Sequence, residues 1–128
     1  MIEQTLDIST AAGRMETFIC HPERGGPFPA VFLLMDAPGI REELRDMARR
    51  LGTVGYYVLL PNLYYRAGRD TIFGPDVLEE GSMERDRMRA VRTKMTIPPV
   101  MDDVATMLTY VDRRSEIKRG QWDVTATA

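Results

Sequence analysis

Two apolar runs, Ala30-Val31-Phe32-Leu33-Leu34-Met35 and Tyr56-Tyr57-Val58-Leu59-Leu60, restrict the folds open to this chain more than anything else in it. Neither alternates polar with apolar residues. A strand that buries one face reads with period two, so an unbroken apolar run bounded by turn signals belongs to a strand covered on both faces, as in a parallel sheet. Asp36-Ala37-Pro38-Gly39 breaks the first run and Pro61 closes the second. Between them, residues 41 to 54 place Leu44, Met47, Ala48 and Leu51 at helical spacing, with arginine and glutamate elsewhere. That is an amphipathic helix, and Gly52 and Gly55 near its end suit a left-handed cap. Strand, helix and strand make a βαβ unit with an expected right-handed crossover. The fold class is therefore α/β.

The flanks extend this plan. Ile2, Gln4, Leu6 and Ile8 alternate with polar neighbours, with one slip in register, and residues 15 to 20 (METFIC) read as a second strand after the Ala12-Gly13-Arg14 turn. An antiparallel hairpin is expected. Pro22 to Pro29 is a loop rich in proline and glycine, and residues 66 to 82, with Gly68, Gly74, Pro75 and Gly81, are a second, longer one. Residues 83 to 95 read as an exposed helix carrying Met83, Met88 and Met95, and Pro98-Pro99 starts another helix. In that last helix Val100, Val104, Met107, Leu108 and Val111 form one stripe facing the sheet. A buried strand is expected next. Glu116 to Gly120 approaches one, but Gln121-Trp122-Asp123-Val124-Thr125-Ala126-Thr127-Ala128 has too few apolar residues for a core strand.

Composition narrows the function. The net charge of −2 offers no basic surface for phosphates, which argues against nucleic acid as a partner. Neither apolar run is long enough to span a bilayer, so no membrane is expected. The N-terminal residues MIEQTLDIST lack the basic start and apolar core of a signal peptide, and the single cysteine cannot form an internal disulfide. The expected location is the cytoplasm.

Single residues carry less. Cys20 beside His21 suggests a nucleophile and its base. Neighbours on a strand point to opposite faces, however, so Cys20 is read as a packing residue and His21 as a strand end. One cysteine and one histidine do not make a structural metal site, and no cofactor is expected. Asp36 taken alone terminates a strand and caps a helix. The arginines between residues 85 and 92 taken alone are a solvated helix face. Tyr64 and Tyr65 follow a strand's C-terminal end, where open α/β sheets bind ligands, and they either line a pocket or pack the loop. The DAPGI loop lacks the glycine spacing of a dinucleotide cradle.

The stretch PAVFLLMDAPGIREELRDMARRLGTVGYYVLLPNLYYR, residues 29 to 66, resembles the dienelactone hydrolase family in combination. Its features are Asp36 at a strand exit, Gly39, Gly55-Tyr56 and Pro61-Asn62-Leu63-Tyr64. The resemblance runs from about residue 2 to residue 120. It implies the N-terminal part of an α/β-hydrolase sheet: an antiparallel hairpin, then parallel βαβ, with helices packed on the sheet. It also implies ester or lactone hydrolysis by a Cys-His-Asp triad, the cysteine on a G-x-C-x-G elbow after the fifth strand. No serine or cysteine here sits between glycines. Two positions carry over: Asp36, the acidic residue that helps generate the thiolate, and Ala37, whose backbone N–H serves the oxyanion hole. Arg85 falls where the family grips a substrate carboxylate, with Arg87 and Arg89 as alternatives in register. Tyr64 is a substrate-binding candidate.

Residues 1 to 120 are thus expected to form an incomplete hydrolase domain, with 121 to 128 an atypical tail read out of frame. Shifted by one base, the tail's codons permit Pro-Val-Gly-Cys-His-Gly-Tyr-Cys-Met, the family's strand and elbow. The chain alone is expected to be inactive. The complete parent would take a small-molecule ester or lactone. The rival readings are a non-catalytic α/β module that folds by pairing with another chain and a doubly wound nucleotide-binding protein. A half-sheet whose central strand lacks its next neighbour is expected to self-associate through the exposed edge.

Overall fold

The computed structural model describes residues 1–35, 39–67, 79–93 and 97–126. Strands β1 (Ile2–Thr10) and β2 (Gly13–His21) pair antiparallel, closing on the turn that Gly13 makes at φ 146°. β3 (Phe28–Leu34) and β4 (Tyr57–Pro61) run parallel and are joined by helix α1 (Glu42–Val54). Helices α2 (Met83–Arg92) and α3 (Ile97–Asp112) precede β5 (Ile117–Ala126). The five strands lie in the order β1-β2-β4-β3-β5, with β2 antiparallel to β4 and β5 parallel to β3. The two apolar runs occupy the middle of the sheet. All of β4 is buried, as are Ala30, Val31, Phe32 and Leu33 of β3.

The helices cover opposite faces. On β2, Phe18 lies under the Arg49 guanidinium of α1, and the Cys20 thiol abuts Gly52 of the same helix. His21, pointing the other way, stacks on Tyr57, which lies beside Tyr110 of α3. α1 packs through Leu44, Ala48 and Gly52. Met47, placed on its apolar stripe from the sequence, is 39% exposed, because the buried stripe runs strictly at intervals of four. Gly55 ends the helix at φ 119°, its N–H bonding to Gly52 O and that of Tyr56 to Leu51 O, which satisfies two terminal carbonyls. α3 buries Val104, Met107 and Val111, as its stripe predicts. On α2, Met88 is buried, not exposed as expected, and Met83 is 87% exposed.

The tail departs from expectation. Residues 117 to 126 form a strand that covers the second edge of β3, from Phe28↔Ile117 to Leu34↔Ala126. The sheet therefore has five strands, and its two free edges belong to β1 and β5. Among the described side chains of β5 only Ile117 is buried; Trp122, Asp123, Val124 and Thr125 face solvent. An edge strand needs backbone partners and tolerates polar side chains, which is why apolar content misjudged this segment. A register shift between Phe28 and Ala30 accommodates Gly120, which sits at φ 74°.

Candidate functional site at the strand exits

The parallel pairing of Ala30 with Tyr57 and Phe32 with Leu59 brings the C-terminal ends of β3 and β4 side by side. In open α/β sheets this is the end that binds ligands. The β3 exit begins at Met35, which is buried. Asp36 and Ala37, the two residues singled out for catalysis, lie outside the described residues. The chain re-emerges at Gly39 with φ 93°, where Arg41 donates to the Gly39 carbonyl at 3.1 Å.

The β4 exit is tightly built. Asn62, 4% exposed, accepts from the Tyr64 N–H through its side-chain oxygen at 3.0 Å and from the Tyr65 N–H through its carbonyl at 3.1 Å. Its own N–H donates to Glu16 O of β2 at 2.8 Å. This turn seats Tyr64, 2% exposed, in the core at the top of the sheet. A short 3-10 turn, Tyr65–Ala67, follows within the stretch read from the sequence as loop.

Asp103 of α3 locks that turn. Its carboxylate is 1% exposed and accepts from the Tyr65 hydroxyl at 2.8 Å and from both terminal nitrogens of Arg66 at 2.9 and 3.1 Å. The fork geometry of arginine suits this two-point grip. Thr10 Oγ1, at the tip of the β1–β2 hairpin, lies 2.8 Å from the Tyr65 hydroxyl, and the Arg66 guanidinium covers the Tyr65 ring. Burial holds the Tyr65 phenol above its ordinary range, and the hydrogen bonds to Asp103 raise that of Arg66. The hairpin, the β4 exit and α3 are thereby joined through four side chains. Thr10, Arg66 and Asp103 were not foreseen. The signal was present for Asp103, a carboxylate amid the apolar stripe of Val100, Val104 and Met107, which demands a buried partner.

The remaining candidates are apart from this network. Arg85 lies half-buried in the first turn of α2, its N–H donating to Ser82 Oγ at 3.0 Å. Arg87 pairs with Glu84 at 3.1 Å, and Arg89 is exposed. Cys20 is fully buried, and burial pushes its thiol up to about 11, the wrong direction for a nucleophile. His21 and Cys20 face opposite sides of the sheet, so they form no pair. The His21 Nδ1–H donates to Pro22 O at 2.9 Å. Among the described residues no cluster of His, Cys, Asp and Glu could hold a metal, and no helix is long and apolar enough to cross a membrane.

A mixed sheet with this strand order, helices on both faces and a braced exit at its C-terminal end has the fold of the α/β hydrolases. The chain superposes over 98% of its length on an α/β serine hydrolase from Xanthomonas campestris, with a TM-score of 0.53 and 12% identity over 50% of that chain. The sequence profile of the dienelactone hydrolase family matches residues 15–125, and the chain belongs to that family. A solved structure named "Putative Dienelactone Hydrolase", from Klebsiella pneumoniae, has a TM-score of 0.79 and 22% identity, covering 99% of this chain and 50% of its own. In sequence, a "Putative carboxymethylenebutenolidase" of Methylorubrum extorquens is 34% identical over 68 residues, which are 53% of this chain and 23% of that protein. The chain thus spans about a quarter of that curated relative and about half of each of the two solved structures named above.

Proposed function

We propose that this chain carries the oxyanion and substrate-gripping half of a carboxylic-ester hydrolase acting on lactones of the dienelactone or carboxymethylenebutenolide type, and that alone it does not turn over. The observation behind this reading is the state of Cys20. It is the one thiol in 128 residues, sealed in β2 under α1, and no serine or cysteine stands in a glycine-flanked elbow. In the complete enzyme the Ala37 N–H would donate to the developing oxyanion, Asp36 would assist in forming the thiolate, and Arg85 and Tyr64 would contact the substrate. The thiol, aspartate and histidine of the triad would come from outside these residues. We place the protein in the cytoplasm, on its composition. The test is hydrolysis of an aryl acetate and of a dienelactone by the purified 128-residue chain. Rates equal to buffer are expected, since loss of a nucleophile removes several orders of magnitude; turnover well above buffer overturns the reading.

A second reading, a non-catalytic module that pairs with another chain, is favoured by one observation. The outer edge of β5 presents ten residues of strand with Trp122 and Val124 exposed, and such an edge recruits further strands.

A further inference from the structure

The backbone of β5 shows which of its amides a further strand would need. The Phe28 N–H donates to Glu116 O at 2.8 Å, so it turns away from β4 and toward β5. β3 runs from Phe28 to Leu34 as one strand, and backbone groups change sides along a strand with period two. The N–H and C=O groups of Ala30, Phe32 and Leu34 therefore turn toward β5 as well. In a parallel ladder the slanted bonds of such a residue run to the two neighbours of the residue standing opposite. Phe32 stands opposite Val124. The backbone groups of Asp123 and Thr125 therefore turn inward to β3, and the N–H groups of Trp122, Val124 and Ala126 turn to the open edge.

The middle one of these three donors is already engaged. The Val124 N–H donates to Asp123 Oδ1 at 2.8 Å. That bond draws the Asp123 carboxylate to the open edge. An incoming strand would present a carbonyl oxygen to the Val124 N–H and would meet a carboxylate oxygen there, acceptor against acceptor. An N–H has one proton to donate, so pairing at this position must first break the bond to Asp123. Charged side chains are among the devices by which folded proteins keep sheet edges from adding strands. We propose that Asp123 guards the β5 edge: its carboxylate caps the outward N–H of Val124 and weakens the addition of a further strand there. The inference rests on the second reading above, in which β5 pairs with another chain. For this chain alone in solution, the strand held off is the β5 edge of a second copy, so pairing is confined to high concentration.

The test compares the whole 128-residue chain with Asp123→Ala and Asp123→Asn by sedimentation velocity over a concentration series. Asp123→Ala frees the amide and should raise the association constant about tenfold, the equivalent of one hydrogen bond no longer broken on pairing. Asp123→Asn keeps an oxygen that can accept from the Val124 N–H and should stay close to the native protein. Amide exchange on dilute monomer reads the cap without a second copy. The Val124 amide should exchange more slowly than its intrinsic rate in the native protein and in Asp123→Asn, and at that rate in Asp123→Ala. An equal rise in both variants would show that charge alone acts, and it would overturn the cap. Equal association of all three proteins, or an unprotected Val124 amide in the native chain, overturns the guard and leaves the second reading standing. Monomers throughout, in all three proteins, overturn both.

Discussion

At the residue scale, burial decides what each polar group can do. Cys20 illustrates the point, and its chemistry is testable in two ways. An aromatic disulfide reagent should label it only at the rate of unfolding, and denaturant should accelerate labelling by orders of magnitude. Its ionisation also sets a pH window. The folded thiol titrates at about 11 against an ordinary 9.0, so folding favours the protonated form. Stability from this group is therefore intact below pH 9.0 and declines as pH rises toward about 11, with no loss on the acid side. The stability difference between the native protein and Cys20→Ala, set by lost packing, should be constant below pH 9.0 and change as pH rises toward about 11. The sequence made Cys20 legible as a packing residue, since strand alternation separates it from His21. It could not reveal the partnership of Arg66 with Asp103, which are 37 positions apart and meet only once α3 crosses the β4 exit.

At the element scale, two joints matter most. Gly55 holds a left-handed conformation, and a Cβ added there meets nothing within 4 Å. Gly55→Ala should therefore cost about 1 kcal/mol from backbone strain alone, read as a fall in urea midpoint with an unchanged m-value. The Asp103 joint carries more. Asp103→Ala removes the buried acceptor of three hydrogen bonds, while the exposed Arg66 guanidinium turns to solvent. A loss of about 2 kcal/mol is expected from the lost hydrogen bonds, with hydrogen-exchange protection falling first around residues 62 to 66. An unchanged midpoint would show that the Asp103 network does not hold the β4 exit to α3. The hairpin, βαβ unit and amphipathic α3 were all readable from period and punctuation. β5 was not, because its residues were weighed as a core strand. The backbone groups left open along β3 made a strand there favourable, whatever the side chains on the outer face.

At the scale of the whole molecule, the sheet is braced at one end by the Asp103 network and is open along one side. β1 bounds it on the other side with mostly exposed residues. There Glu3 is tied to α1 by Arg49 at 2.9 Å, which places a charge on that edge and disfavours edge-to-edge pairing. The outer side of β5 has Trp122 and Val124 instead. Self-association should therefore run through β5: sedimentation velocity is expected to show species above the monomer that grow with concentration, and Val124→Lys should return them to monomer. A monodisperse monomer at high concentration would count against the edge as a contact surface.

Trp122 is the chain's only tryptophan, stands 50% exposed on that open edge, and lies 6.0 Å from the Phe32 ring at the sheet centre. The molecule thus carries its own optical gauge. All indole emission comes from the strand whose partner is in question. Anything that docks there, whether a second copy or a complementary half of the fold, shifts the emission to the blue and shields it from iodide. Fraying of β5 from Phe32 shifts it to the red. One fluorescence titration can therefore read the fate of the edge without a label.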